Sequence, residues 1–425
     1  MSQPPIQRGK ASWMASLVPY SLVSGTIGTL VQIYILNLGG TVLDVGLSVT
    51  LSTAITIPAS IFWGSVSDRL KRRKPIIALS FAALAGFFAL FLLANTVDEV
   101  LLIFTVYSFV NSAPSTPINL LILETQEKAK WATAYADYQA LAAAGQVLGL
   151  LASAIWSAYL PVRLIVLLLS ACSVLAAVIA AKLISEPPFL FEGTALGRHY
   201  LSILQRFLTQ PSGFLRTPQA FHVRGFFRSL RADFSGYLRI LYGSILVFYL
   251  ATGLTAVFVA LLSVKGVSDS LIFVSSTINV AVTAPVFRYV GLRLKKKNWV
   301  RDSVIALSAR AVAYGSIGVA AYFLSGMTFF IVATVLFVIG SGISSPVYYT
   351  ISQAMVYDTL GVASQGSDLG IYTALTGLSG TFGALFSGYI TIYAGYDTTF
   401  ILSGAGMALT ALIILRLRST PLGSG

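Results

Sequence analysis

The chain has 425 residues, of which 56% are hydrophobic and 10% are charged, and its formal net charge is +13. Soluble domains carry about 25% charged residues, so this composition excludes a soluble domain and indicates a polytopic membrane protein. The positive charge does not indicate nucleic acid, because the bases occupy short segments between apolar spans, a pattern that points to the lipid bilayer as the partner.

Twelve apolar segments are long enough to cross a membrane, which takes about 20 residues. The first six spans are predicted at residues 12–37, 44–66, 75–95, 101–124, 133–156 and 162–184. The second six are predicted at residues 239–263, 269–292, 302–324, 327–350, 368–392 and 396–417. The sequence therefore predicts an all-α polytopic membrane protein with an N-terminal six-helix bundle over 1–184, a central loop over 185–238 and a C-terminal six-helix bundle over 239–425.

An even number of spans places both termini on one side of the membrane. The loops on that side contain most of the bases, including the runs at residues 69–74 and 293–297, whereas the opposite loops contain acids such as Asp98 and Glu99. Loops rich in Lys and Arg stay in the cytoplasm. We therefore expect cytoplasmic termini, a cytoplasmic central loop and a location in the cell membrane.

The central loop alternates bases with bulky apolar residues at near-helical spacing. This pattern favours one or two amphipathic helices on the inner membrane surface. A disordered basic linker between the two bundles is the alternative interpretation.

The two halves of the sequence resemble each other. The basic run after span two, at residues 69–73, is echoed after span eight, at residues 293–297. Tyr138 and Gly149 of span five recur at the same spacing as Tyr372 and Gly383 of span eleven. Internal repeats of this kind mark many transporter folds, in which the binding site lies at the repeat interface near the membrane midplane.

The turn between spans two and three contains Gly64, Asp68, Arg69, Arg72 and Arg73. A glycine, then Asp-Arg, then a basic pair at this place resembles the signature of the major facilitator superfamily. The resemblance covers nearly the whole chain, since the twelve spans and the long central loop also fit. It implies two six-helix bundles that alternate between outward-open and inward-open states, with no cofactor, metal or enzymatic activity.

The same resemblance implies a conformational latch on the cytoplasmic side. In the family the matching acid meets the start of span eleven, which here lies near Asp368, and an anion is stabilised at a helix N-terminus. Arg72 is expected to pair with Glu124 at the end of span four. These contacts, together with Gly64, Asp68 and Arg69, would favour the outward-open state. The alternative is that the basic run only orients the protein in the membrane.

Polar side chains in the cavity-lining spans of the family are the candidates for substrate contact. They are Thr26 and Gln32 in span one, Asn111 and Ser115 in span four, Gln146 in span five, Tyr249 in span seven, Asn279 in span eight, Ser345 and Tyr348 in span ten, and Tyr372 in span eleven. An amide is too costly to bury in lipid without a partner. Asn111, Gln146 and Asn279 are therefore the strongest candidates, with a hydrogen bond between neighbouring helices as the alternative for each.

Charged residues avoid the middle of the spans. Asp137 and Asp368 fall near the starts of spans five and eleven, and Arg310 lies deeper in span nine, from where it is expected to extend to the inner membrane surface. The predicted cavity therefore suits an uncharged or weakly charged organic solute. The sequence also contains no phosphate-binding loop and no cysteine–histidine metal cluster.

The leading interpretation is a secondary active or facilitative transporter, which works as a monomer and moves a small organic solute by alternating access. A proton-coupled multidrug efflux antiporter is the first alternative, with Asp137 or Glu124 as the proton carrier. The second alternative is a non-transporting membrane sensor or a lipid-handling protein that acts through its central loop.

Overall fold

The computed structural model describes residues 11–70, 72–125, 131–184, 236–293, 298–359 and 365–418. The helices of the first half are α1 Leu17–Asn37, α2 Val42–Leu70, α3 Lys74–Leu93, α4 Val97–Asn111, α5 Ser115–Thr125, α6 Trp131–Tyr159 and α7 Ile165–Leu183. Those of the second half are α8 Gly236–Gly253, α9 Phe258–Val264, α10 Asp269–Arg293, α11 Trp299–Phe323, α12 Gly326–Phe337, α13 Ser345–Thr359 and α14 Gln365–Leu415. Residues 185–235 of the predicted central loop lie outside the described residues.

Within the described residues, 10 helical segments are long and apolar enough to cross a membrane. Two further features bring these ten segments to the predicted twelve spans. Span four is divided between two shorter helices, α4 and α5, and α14 contains spans eleven and twelve on either side of a kink at Gly395. Gly395 has a φ angle of 87°, a conformation that a residue with a Cβ atom rarely adopts. The fold is an all-α membrane protein of twelve spans in two six-helix bundles.

Span four, predicted at 101–124, is broken near its middle, beside Pro114. Residues 112–114 form a turn between α4 and α5. Pro114 supplies no backbone N–H and clashes with the preceding helical turn, which explains why α4 ends at Asn111. The break leaves polar backbone groups at membrane depth, which is tolerated where they are buried in protein or line a water-filled cavity.

Span ten is irregular at the corresponding place. A π-helical segment, Val338–Ser344, separates α12 from α13, and Pro346 lies two residues after it. A π segment widens the helix by one residue per turn and occurs frequently at functional sites. Spans four and ten, which hold equivalent positions in the two halves, therefore share an interruption next to a proline.

The internal repeat is also visible in the packing of helices. In the first half, a Cβ atom added to Gly149 of α6 would collide with the Leu22 carbonyl of α1. In the second half, a Cβ atom added to Gly383 of α14 would collide with the Leu250 carbonyl of α8. Leu22 and Leu250 each precede a glycine by three residues. The helix pairs α1–α6 and α8–α14 are thus held together by the same close contact.

The two halves meet through α2 with α14 and through α6 with α10. We call the end of the molecule at which α2 ends and α3 begins the terminal end, and the end that contains the connections 38–41, 160–161 and 265–268 the distal end. At the distal end, Asn37 donates a hydrogen bond to the Asp269 carboxylate at 3.3 Å. Nearby, the Ser270 hydroxyl donates to the Ala154 carbonyl at 2.7 Å.

Close contact continues from the distal end to the middle of the membrane. Thr381 of α14 and Thr53 of α2 share a hydrogen bond of 3.1 Å. A Cβ atom added to Gly46 would lie 3.1 Å from the Ala384 carbonyl oxygen, so the two backbones almost touch. Thr53 is eleven residues from the start of α2, or about 16 Å along the helix. The distal half of the passage between the bundles is therefore closed.

Polar side chains are exposed in the opposite half of the same helices. They are Ser60 of α2, Ser115 and Asn119 of α5, Gln139 of α6 and Thr373 of α14. Polar groups at membrane depth face protein or water rather than lipid. These side chains indicate that the space between the two halves is accessible to water from the terminal end; we call this space the cavity.

Candidate substrate cavity

The second half of the protein places four tyrosines around the inner end of the cavity. Tyr249 of α8 is close enough to Tyr372 of α14 and to Tyr348 and Tyr349 of α13 for electrostatic interaction with all three. Tyr249 and Tyr349 are half-buried, whereas Tyr348 and Tyr372 are buried. The cluster can therefore offer ring faces and hydroxyl groups to a solute through Tyr249 and Tyr349.

Two of these tyrosines make further contacts with neighbouring side chains. Tyr348 shares a 2.9 Å hydrogen bond with Ser244 of α8, and its ring centroid is 4.4 Å from that of Phe248. The Tyr349 hydroxyl accepts a hydrogen bond of 2.9 Å from Gln353 one turn further along α13. These contacts restrict the rings of Tyr348 and Tyr349 before any solute binds.

The first half contributes a smaller group built on Tyr20 of α1. The Tyr20 hydroxyl donates to Asn111, with distances of 3.1 Å to the side-chain oxygen and 3.2 Å to the main-chain oxygen. Its ring stacks on Phe81 at a centroid distance of 4.5 Å. Asn111 is the last residue of α4, so this hydrogen bond also occupies a carbonyl that the break in span four leaves free.

Two amide oxygens near the junction of the halves are buried without a hydrogen-bond partner. They are Oε1 of Gln32 on α1 and Oδ1 of Asn279 on α10. One turn from each of them, Thr29 and Ser276 form a hydrogen bond of 3.4 Å between the two halves. An unsatisfied buried acceptor costs about 1–3 kcal/mol, so this place favours a solute or water that donates hydrogen bonds.

Several predicted cavity residues take part in helix packing. Thr26 is fully buried, and its hydroxyl donates to the Leu22 carbonyl of its own helix at 2.8 Å. The side-chain stem of Gln146 packs against Gly25, where an added Cβ atom would lie 2.5 Å from its Cγ atom. The amide nitrogen of Asn279 lies 3.5 Å from the Ser341 hydroxyl of the π segment. The Asn279 contact is a hydrogen bond between helices, whereas the contact of Gln146 with Gly25 is one of packing; a role of either residue in substrate binding stays a prediction.

The other predicted residues lie along the cavity wall. Ser345 is half-buried at the start of α13, directly after the π segment, and exposed Ser115 opens α5 after the break in span four. Asp137 is exposed on α6, six residues after the helix begins at Trp131. It is accessible to solvent but does not lie among the central tyrosines.

The latch remains a prediction. Asp68 and Arg69 lie in the last turn of α2, Glu124 near the end of α5 and Asp368 in the first turn of α14, but their side chains lie outside the described residues. Gly64 lies in α2 with no atom within 4 Å of an added Cβ, and Arg72 is half-buried. The described part of this turn shows a different contact, in which Arg73 Nη1 donates to the Ser67 carbonyl at 2.9 Å and to its hydroxyl at 3.1 Å. Arg73 thus caps the end of α2 as well as contributing positive charge.

Sequence reasoning missed Thr29, Ser276 and the Tyr349–Gln353 pair. A signal for the first two exists, because each stands three residues before an amide, Gln32 or Asn279, and so shares its helix face. Tyr349 and Gln353 are likewise four residues apart. Polar residues spaced at three or four inside an apolar span mark the face that does not contact lipid.

Two like halves around a central polar cavity define the class of protein as an alternating-access membrane transporter. The chain belongs to the Major Facilitator Superfamily, whose family model matches residues 13–351. It is accordingly a secondary transporter of small solutes and not an enzyme.

Solved structures share this fold along their whole length. The nucleoside transporter NupG superposes with a TM-score of 0.71 and 14% identity, covering 97% of this chain and 99% of that one. A bacterial homolog of the human lysosomal transporter Spinster gives a TM-score of 0.67 and 15% identity, with coverages of 97% and 96%. The human organic anion transporter MFSD10 gives a TM-score of 0.56 and 15% identity, covering 97% of this chain and 100% of that one. At these identities the likeness shows the fold alone, and no curated protein matches the sequence.

Proposed function

We propose that the protein carries a small, uncharged organic solute with a flat ring and hydrogen-bonding groups. The observations that carry this proposal are the half-buried tyrosines Tyr249 and Tyr349 and the buried, unpartnered amide oxygen of Asn279. Aromatic rings stack on flat solutes, and amides and hydroxyls select among polar groups.

A nucleoside is the first solute to test. It combines a flat base with sugar hydroxyls that donate hydrogen bonds, which is the chemistry that the cavity offers. One of the similar structures is described as a nucleoside transporter. The weight of the proposal rests on the cavity, because the sequence identity to that protein is only 14%.

The charge pattern sets the orientation that we propose. The bases flank the terminal end, so this end faces the cytoplasm of a cell membrane, and the structure is then open to the inside. We further propose a monomer with domains over 1–184 and 239–425, whose outward-open state is held by the latch between Asp68, Arg69, Arg72, Glu124 and Asp368.

Binding can be tested with purified protein before the transport direction is known. A panel of nucleosides, sugars, amino acids, organic acids and cationic drugs is scored by thermal stabilisation at pH 6 and pH 8. We expect stabilisation by neutral ring-containing solutes at both pH values. Stabilisation by organic acids or cationic drugs alone would contradict the proposal.

A matched pair of tyrosine variants locates the site. Tyr249→Leu should weaken binding of the stabilising solute about tenfold, equal to about 1.4 kcal/mol, because it removes a ring face and a hydroxyl from the cavity. Tyr393→Leu, at a tyrosine that is 86% exposed near the distal end, should leave binding unchanged. Equal effects of the two substitutions would place the solute elsewhere.

A proton-coupled drug antiporter is the second candidate, because α6 carries an exposed carboxylate, Asp137, six residues after its start. In that case cationic drugs stabilise the protein, and Asp137→Asn removes the dependence of binding on pH. A non-transporting sensor would bind a solute without moving it across a membrane.

A further inference from the structure

Arg310 lies deep in the second half of the protein. It is the twelfth residue of α11, about 16 Å from the start of that helix, and so lies near the middle of a hydrocarbon layer about 30 Å thick. Its side chain was expected to extend to the membrane surface, but it is only 1% exposed. A permanently charged guanidinium group is therefore enclosed inside the bundle.

The surroundings of Arg310 are aromatic. Its guanidinium carbon lies 4.9 Å from the ring centroid of Phe248 and 5.0 Å from that of Tyr314. Cation–π contacts compensate only part of the cost of removing a charge from water. The hydrogen-bond donors Nε and Nη1 are buried without a partner, and the Tyr314 hydroxyl is also unpartnered.

The acidic residues of this half lie at the ends of helices. Asp269 and Asp302 are in the first turns of α10 and α11, and Asp302 is 3.3 Å from Arg301. Asp358 is in the last turn of α13, Asp368 is in the first turn of α14, and Asp397 is next to the kink at Gly395. Asp302 is eight residues from Arg310, or about 12 Å along α11, so it does not serve as the counter-ion.

We propose that Arg310 binds a small monovalent anion, a halide or a carboxylate, inside the C-terminal bundle. The anion supplies the charge and the hydrogen-bond acceptors that the buried guanidinium lacks. Phe248 separates this place from the solute cavity, since its ring centroid is 5.2 Å from that of Tyr249 and 4.4 Å from that of Tyr348. An anion bound at Arg310 would consequently stabilise the ring cluster that holds the solute. This inference does not depend on which solute is carried.

The test compares anions at constant ionic strength, using the full-length protein in detergent. In a buffer whose only anion is the bulky sulfonate HEPES, replacement by chloride or bromide should raise the melting temperature by about 3 °C or more, with a saturable dependence on concentration. Acetate is measured in parallel. Stabilisation by acetate but not by halides would identify the anion as a carboxylate, which in the cell an organic solute would supply.

Two arginine variants in the same helix complete the test. Arg310→Met should abolish the anion response, whereas Arg301→Met, at a side chain that is 63% exposed, should retain it. If Arg310→Met does not fold, the wild-type titration decides, because specific binding saturates and a general salt effect does not. A melting temperature that is the same in all anions, or a response that Arg301→Met loses equally, would overturn the proposal.

Discussion

Single glycines determine how closely the helices of each half approach. Gly149 and Gly383 occupy equivalent places in the two repeats, and each faces the carbonyl of a leucine on the neighbouring helix. Without water in the membrane core, helices associate through close packing, which small residues permit. The repeated glycine contact therefore explains why α1–α6 and α8–α14 form matching pairs.

A substitution by alanine tests this contact. Alanine favours a helix by about 1 kcal/mol over glycine, so Gly86→Ala, where no atom lies within 4 Å, should leave the melting temperature unchanged or raise it. Gly149→Ala should lower it by several degrees, because the new methyl group collides with the Leu22 carbonyl and overpacking costs about 1–3 kcal/mol. Thermal unfolding in detergent measures both. Equal melting temperatures for the two variants would show that the contact can relax.

At the scale of elements, the interruptions in spans four and ten accompany the closed distal half of the passage. Both interruptions lie near the middle of the membrane, at residues 112–114 and in the π segment Val338–Ser344. The contact between Thr53 and Thr381 lies at a similar depth. Irregular backbone at this depth gives the spans places where they can bend when the distal contact opens.

Locking the distal contact should stop transport. In a background in which Cys172 is replaced by serine, the pair Thr53→Cys and Thr381→Cys should form a disulfide on oxidation, because the two hydroxyl oxygens are 3.1 Å apart. The crosslinked protein should bind solute from the terminal end but move none, and reduction should restore the wild-type rate. Each single cysteine variant is the control. Transport at the wild-type rate by fully crosslinked protein would show that α2 and α14 need not separate.

At the scale of the whole molecule, composition and periodicity were sufficient to predict the architecture. Spans are recognisable because each needs its own apolar run, and the repeat is recognisable because Tyr138, Gly149, Tyr372 and Gly383 keep their order. The orientation of side chains was harder to predict. In a membrane the lipid-facing and the packed faces of a helix are both apolar, so the sequence could not show that Tyr348 points into the bundle.

Two further features depend on tertiary structure. Arg310 is enclosed by Tyr314, four residues further along the same helix, and by Phe248 of a different helix, which is distant in sequence. The cationic side chain alone favoured the membrane surface. Closure at the distal end depends on which of two packings of the same helices is populated. No local sequence pattern distinguishes them, because both use the same spans.

The central claim is that the chain moves a neutral, ring-containing solute by alternating access, and solute counterflow tests it most directly. Protein in liposomes loaded with unlabelled uridine is supplied with radiolabelled uridine outside, at pH 6 and pH 8 and without an ion gradient. We predict saturable accumulation of label at both pH values, reduced in Tyr249→Leu and absent in the oxidised Thr53→Cys and Thr381→Cys protein. If label enters no faster than in protein-free liposomes for uridine and every other neutral ring-containing solute in the panel, the account is wrong.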